Sequence, residues 1–317
     1  MQNPHSEPRV LIAVCSRGPN PQLRKLVPAL ARQAGQMRHK ARVVIVANAW
    51  EPQDLESFGC ELTTLDHQIK ILLTQEREAG IPAARNRALD VAYEGDVTYL
   101  VFIDDDCLPY EGWLENLIET ALSSKSDVVA GGWRITPGSE KSKFLPDYVF
   151  GQKRYSRKGA DVPDQGLLDW AYTRSVLFNV SEGSMVRREG LRFDESRSRL
   201  GGSDVMFFMA LSKLGAKLTY CEQSMVEETY RDDRLTLRWW FWRKFRNAQF
   251  RFERGELTTQ EVLNGALEVV KQLLAYGVKL PSRSKRGLAS EALGHLLLSL
   301  APLFGLVSFW IYRYKSY

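Results

Sequence analysis

The sequence is poor in the residues that mark disulfide, zinc and triad chemistry. It has four cysteines, Cys15, Cys60, Cys107 and Cys221, and no C-x-x-C pair. Neither a disulfide framework nor a zinc site is expected, and a reducing compartment fits best. Its four histidines, His5, His39, His67 and His295, match no triad spacing, and no G-x-S-x-G or P-loop segment occurs. Hydrolase-triad and Walker-type readings are therefore poor. Met1 to Arg9 is polar with two prolines and lacks the apolar stretch that a signal peptide needs. There is no internal repeat or low-complexity tract. The charge excess is small, 43 Lys+Arg against 38 Asp+Glu for a net +5. That balance permits an anionic ligand or membrane surface and demands neither.

What is present fits a folded protein. The 317 residues are 44% hydrophobic and 26% charged, which excludes whole-chain disorder, collagen and a multi-pass membrane protein. The length suits one large domain or two small ones, with ample core.

The first two-thirds alternates strand and helix patterns. Val10–Cys15 is an apolar run of strand length, closed by Ser16-Arg17-Gly18-Pro19. Leu23–Gln33 has helical spacing, and Val43–Ala47 is a second buried-strand run closed by Asn48. Ala83–Tyr93 reads as a helix with Pro82 near its start, where proline is tolerated. Val97–Ile103 is a third apolar strand and runs into Asp104-Asp105-Asp106. Trp113–Leu122 reads as a helix, Val128–Ala130 as a short strand stopped by Gly131-Gly132, and Ser175–Val180 and Ser184–Val186 as strands. Val205–Leu214 reads as a helix and Leu218–Cys221 as a strand. Such alternation with fully apolar strands predicts an α/β fold, a mainly parallel sheet covered by helices on both faces. Ligands then bind at the C-terminal strand ends, where Ser16, Asn48 and the three aspartates should converge. The polar, Gly- and Pro-bearing stretch 137–172 reads as a functional or disordered loop.

The triplet Asp104-Asp105-Asp106 is the sharpest local signal. Adjacent carboxylates at the end of a buried strand repel one another and are costly unless a cation or donors offset them. Mg²⁺ or Mn²⁺ bridging a diphosphate supplies that charge; a solvated acidic turn is the plain alternative. Asp204, after Gly201-Gly202-Ser203, sits at a helix start, where aspartate is also an ordinary N-cap. Arg85 lies on a helix near the sheet. Glu227 and Glu228 precede Arg231 and Arg234, which offers a further ligand and phosphate-neutralising cations, or surface ion pairs worth at most about 1 kcal/mol.

After about Arg231 the composition changes. On a helical wheel Phe241, Trp242, Phe245 and Phe252 share one side and Arg243, Lys244, Asn247 and Arg251 the other, as in a helix at a membrane interface. Residues 292–312 are mostly apolar and near the roughly 20 residues that span a bilayer. Gly294, His295 and Pro302 weaken a span, so monotopic or hairpin insertion is preferred, with a core helix of a soluble domain as the alternative. The expected division is a catalytic domain over 1–235 and a membrane-associating segment over 236–317.

Taken in order, these segments resemble a family 2 glycosyltransferase of the GT-A fold, most like bacterial exopolysaccharide glycosyltransferases of the succinoglycan-pathway kind. The blocks are Val10–Ser16, Val43–Asn48, Gly80-Ile81-Pro82-Ala83-Ala84-Arg85-Asn86 (like G-x-P-x-A-R-N), Phe102-Ile103-Asp104-Asp105-Asp106 (like the D-x-D segment) and Gly201-Gly202-Ser203-Asp204 with Phe207-Phe208 (like G-G-E-D-x-x-F-F). Three positions depart. Asn48 stands where the family has a base-contacting aspartate, Ser203 replaces the glutamate of G-G-E-D, and Arg231 replaces a proline.

The resemblance implies inverting sugar transfer from a nucleotide-sugar, a UDP-sugar favoured, with Mn²⁺ or Mg²⁺. Ser16, Arg17 and Asn48 would contact the nucleotide and Asp104 or Asp105 the ribose side. Asp106, with Asp104, would hold the metal, and Glu228 is a further candidate ligand. Arg85, Arg231 and Arg234 would add positive charge near the phosphates. Asp204 would be the general base. The stretch 137–172 would be a lid or acceptor element. The acceptor would be a saccharide, lipid-linked at the cytoplasmic face of the bacterial inner membrane; nucleic acid is not an expected partner. A metal-dependent nucleotidyltransferase and a degenerate, non-catalytic scaffold of the same fold are the alternatives.

Overall fold

The computed structural model describes residues 8–64, 69–139, 149–157, 160–198, 201–255, 258–264 and 267. In chain order the elements are β1 (Val10–Ser16), α1 (Pro21–Gln36), β2 (Ala41–Asn48), α2 (Pro52–Thr64), β3 (Ile71–Glu76), α3 (Ile81–Glu94), β4 (Tyr99–Ile103), β5 (Cys107–Pro109), α4 (Trp113–Ser124) and β6 (Val128–Pro137). Four short strands follow, β7 (Gly151–Lys153), β8 (Ser156–Arg157), β9 (Ala160–Asp161) and β10 (Leu167–Leu168). Then come β11 (Ser175–Asn179), α5 (Met185–Arg188), α6 (Ser203–Lys213), β12 (Leu218–Tyr230) and α7 (Leu237–Glu253).

The result is a mixed α/β fold with a mainly parallel central sheet. The strand order is β10-β12-β6-β11-β4-β1-β2-β3, with β5 on β12 and β7 on β6. Strand β1 lies between β2 and β4, parallel to both, in the registers Val10↔Ala41 and Val10↔Tyr99. Strand β3 adds to β2 in parallel, and β11 runs antiparallel to β4 and β6. Nearly every residue of β1 and all of β4 are buried, which is why these strands read as unbroken apolar runs rather than alternating ones. Because β1, β2 and β4 run the same way, Ser16, Asn48 and the triplet after Ile103 leave the sheet at one edge.

Several elements differ from expectation. Strand β6 does not stop at Gly131-Gly132 but continues to Pro137. A side chain at Gly131 would run into the Ser224 carbonyl and the Ser175 hydroxyl, so the glycine permits close approach of neighbouring strands instead of making a turn. Ser184–Val186 is not a strand: Ser184 caps the short helix α5, its hydroxyl accepting from the Arg187 amide. The pair α2 and β3 escaped the pattern because only Phe58 and Leu62 of α2 are buried and every residue of β3 is half-exposed, as on a sheet edge. The stretch 137–172 is not wholly irregular, since β7 to β10 lie in it.

The chain divides into two compact units, Met1–Arg134 with Gln152–Glu228, and Ile135–Gly151 with Thr229–Tyr317. In the second, the Gly138 amide donates to the Tyr230 carbonyl at 2.9 Å. Thr236 caps α7, its hydroxyl accepting from the Trp239 amide. The predicted two-sided character of α7 is only partly seen: Trp240 and Ala248 are its buried positions, while Trp242 is 49% exposed. No helix among the described residues is long and apolar enough to cross a membrane, and 292–312 lies outside the described residues.

Candidate active site

The site is built from the turn that ends β1. The Ser16 hydroxyl lies 2.6 Å from Asp105 Oδ2 and 2.7 Å from the Gly18 carbonyl, and donates to one at a time. Asn20 Nδ2 donates to the same Asp105 oxygen at 2.7 Å, while Asn20 Oδ1 accepts from the amides of Gln22 and Leu23 and caps α1. One asparagine thus ties the first helix to the acidic triplet. The Trp50 indole N–H donates to the Ser16 carbonyl at 2.8 Å and braces the turn from the β2 side. Arg17 is exposed.

Asn48 occupies the expected strand end and is 2% exposed. Its amide is committed to the backbone beyond β3, with Nδ2 donating to the Glu78 carbonyl at 2.6 Å and Oδ1 accepting from the Gly80 amide at 2.9 Å. It therefore fixes the entry into α3, the helix that carries Arg85.

In the triplet, Asp105 faces Ser16 and Asn20, and Asp106 is buried. Burial, then the charge of Asp106, push the Asp104 carboxyl up to about 7, against the pull of Arg85 and Arg174. Strand β5 follows at once and pairs with β12, setting Cys107 opposite Glu228. Glu228 is buried and ion-paired with Arg174. The Arg174 guanidinium lies 4.7 Å from the Trp133 ring centre and 5.0 Å from that of Tyr172, a cation–π setting that suits a planar, weakly hydrated cation.

Arg85 is 8% exposed. Its Nη1 donates to the Ser203 hydroxyl at 2.9 Å and its Nη2 to the Thr173 hydroxyl. Asn86, beside it, clasps the Phe193 backbone through both amide atoms, at 2.8 and 3.0 Å. The start of α6 is thereby held against α3. Gly201 and Gly202, at φ +80° and +73°, make the left-handed turn into α6 that residues with side chains resist. Asp204 then stands in the first helical turn, half-buried, its Oδ1 accepting from the Val205 amide at 2.9 Å.

Ser16 and the triplet thus meet as expected, and Arg85 reaches the Asp204 helix rather than open solvent. Arg231 and Arg234 belong to the second unit: Arg231 faces Asp233 at 3.5 Å, and Arg234 lies 5.8 Å from the ring centres of Tyr230 and Trp239. Sequence reasoning missed Asn20, Trp50 and Arg174. Asn20 before Pro21 is a legible cap signal. Arg174 is a single basic residue ahead of an apolar run, with nothing in the sequence to join it to Glu228.

The donor chemistry suits a hard divalent cation. Asp104 and Asp106 offer carboxylate oxygens, and the Asp106 charge that helps raise the Asp104 carboxyl is one a cation would offset. No three acidic, histidine or cysteine side chains among the described residues are grouped to hold a metal by themselves. A two-carboxylate site completed by substrate phosphate is the arrangement that Mg²⁺ and similar ions accept.

The family model for Glycosyl transferase family 2 matches residues 10–189. The succinoglycan biosynthesis protein ExoM of Rhizobium meliloti (strain 1021) is 27% identical over 249 residues, 78% of this chain and 75% of that protein. Among solved structures, S. aureus TarS 1-349 matches with a TM-score of 0.50 at 13% identity, over 75% of this chain and 65% of that one. GalNAc-T7, solved with UDP, GalNAc and Mn²⁺, matches with a TM-score of 0.55 at 13% identity, over 81% and 52%. The chain spans less than two thirds of either solved chain, and at these identities the likeness is one of fold.

Proposed function

The chain belongs to glycosyl transferase family 2, a glycosyltransferase using a nucleotide-sugar, and from that premise we propose that its first unit moves a sugar, with inversion, to a saccharide hydroxyl in polysaccharide synthesis. The observation that carries this reading is that the triplet closes β4 at the sheet edge where β1 ends, with Asp105 held by Ser16 and Asn20 and the charges of Asp104 and Asp106 acting on one another. The similarity to ExoM, a succinoglycan biosynthesis protein, supports the polysaccharide assignment.

In this reading the turn 16–20 and the β2 end receive the nucleotide, with Asp104 or Asp105 toward the ribose. Asp106 and Asp104 would hold Mn²⁺ or Mg²⁺. Bound there, the ion supplies Lewis-acid stabilisation to the departing diphosphate. Glu228 is a weaker ligand candidate because Arg174 already answers its charge. Asp204 takes the proton from the acceptor hydroxyl as that oxygen bonds to the anomeric carbon. The bond from that carbon to the diphosphate oxygen breaks, and its electron pair leaves with the nucleoside diphosphate. Arg85 sets the position of the Asp204 helix and adds positive charge beside Asp104.

A lipid-linked acceptor at the cytoplasmic face of the bacterial inner membrane fits the exposed Trp242 on the basic-aromatic helix α7. Vesicle flotation tests it: the full chain should float with anionic phosphatidylglycerol vesicles and Trp242→Ala should float less, and an intact chain that stays at the bottom rejects membrane binding.

The activity is tested by a thermal-shift panel of UDP, GDP, CMP and dTDP, each with and without Mn²⁺, followed by product analysis. A ligand at 100 times its dissociation constant adds roughly 2.7 kcal/mol. The expected result is a Mn²⁺-dependent shift with UDP and release of UDP from a UDP-sugar. Release of pyrophosphate would instead favour nucleotidyl transfer, and no shift with any nucleotide would favour a non-catalytic scaffold.

A further inference from the structure

Next to Thr173, which Arg85 joins to the start of the Asp204 helix, lies an aromatic cluster that the reaction above does not use. Tyr155 is its centre, with ring centres of Trp170, Trp133, Tyr220 and Tyr172 at 5.2, 5.3, 5.6 and 5.9 Å. Trp170 and Tyr172 pack edge to face at 4.8 Å. The cluster has a dry side and a wet side. Tyr155 is 1% exposed and Trp133 7% exposed, while Trp170 and Tyr172 are half-exposed. The Tyr172 amide donates to the Tyr155 hydroxyl at 3.0 Å, which fixes the wet ledge to its dry support.

The chain path sets this ledge next to the proposed base. Thr173, between Tyr172 and Arg174, accepts from the Arg85 guanidinium, and the same guanidinium holds Ser203, the neighbour of Asp204. One cation therefore clamps the segment bearing the ledge to the helix start bearing the carboxylate. The electrostatics agree: after burial, the charge of Asp204 is among the causes that push the Tyr155 hydroxyl up. On its other flank, Arg174 lies over Tyr172 and Trp133 and pairs with Glu228, next to the acidic triplet.

A pyranose ring presents a face of C–H bonds that packs on an aromatic ring, and a rim of hydroxyls that water or carboxylates can satisfy. Half-exposed aromatics held by a rigid apolar support, one and three residues from the threonine that Arg85 clamps to the Asp204 helix, have the chemistry for such a face. We propose that Trp170 and Tyr172 form the acceptor subsite, stacking a pyranose ring of the acceptor so that its hydroxyl faces Asp204. The proposal rests on the transferase reading and adds to it the residues that choose the acceptor.

Ligand-observed saturation-transfer NMR on the full chain tests it, with methyl β-D-glucopyranoside and methyl β-D-galactopyranoside as probes. At least one probe should receive saturation on the ring protons of a single face. Trp170→Ala and Tyr172→Ala should each cut that transfer about tenfold, and Tyr172→Phe, which keeps the ring, should retain it. A wild-type protein that transfers to neither sugar, or alanine variants that transfer as well as wild type, overturns the proposal. The UDP-induced thermal shift, run on the same samples, reports the donor site and the fold. Its loss in wild type would instead strike the transferase reading, and its survival in the variants shows that only the acceptor ledge has changed.

Discussion

The Arg85 guanidinium donates to the Ser203 hydroxyl at 2.9 Å, joining two segments 118 residues apart at the position that is a glutamate in the G-G-E-D block this segment resembles. A charged donor to a neutral hydroxyl replaces what an acid would make an ion pair. The replacement keeps the joint and avoids bringing a further buried carboxylate near Asp104, whose carboxyl is already pushed up to about 7 by burial and Asp106.

Ser203→Ala should therefore leave a buried guanidinium donor unsatisfied. The expected loss is about 1–3 kcal/mol, read by urea denaturation, with transfer reduced because the Asp204 helix loses its clamp. Wild-type stability in this variant would mean that Thr173 alone holds Arg85.

Asp204→Asn should keep the shape of the helix start, since asparagine also accepts from the Val205 amide. It removes the proton acceptor. Transfer should fall roughly a hundred- to ten-thousand-fold while the Mn²⁺-dependent UDP shift stays at the wild-type value. Full activity in this variant would remove Asp204 from the mechanism.

Arg174→Met tests the buried pair with Glu228. Removing one partner of such a pair costs about 3–5 kcal/mol, because the other charge remains buried. Arg174→Met combined with Glu228→Gln should recover much of that loss. If the single and double variants denature at the same urea concentration, Glu228 is neutralised by something other than Arg174.

Thiol labelling separates the four cysteines. Cys60 is exposed, Cys107 and Cys221 are buried and Cys15 is half-buried. Burial first, then the charges of Asp104 and Asp105, push the Cys15 thiol up to about 12, so the reactive thiolate is scarce at pH 8. Maleimide at that pH should add one label to the native protein and four after denaturation, counted by mass spectrometry. A second native label on Cys15 would show that the turn after β1 opens in solution.

Much of this molecule was legible in one dimension. Strands β1, β2 and β4 are buried on both faces, so their apolar runs have no polar interruption, and the carboxylates that follow β4 stand out against them. Helices α1, α3 and α4 show through their spacing. Element boundaries failed where a residue does something other than its average habit. Gly131 sits inside a strand because a neighbouring backbone passes too close for a side chain, and Ser184 caps a helix because its hydroxyl accepts from the Arg187 amide.

The sequence by itself determined that an α/β sheet ends in an acidic edge, and its ordered blocks carried the family resemblance, because both are written in local period and spacing. Only the tertiary structure decided what each polar side chain spends its hydrogen bonds on. Asn48 turns to the backbone before α3, Arg85 clamps Ser203 and Thr173, Arg174 answers Glu228, and Tyr155 gathers aromatics from three separate stretches of chain. Those pairings join residues tens of positions apart. They follow from strand order and helix docking, which no local pattern encodes.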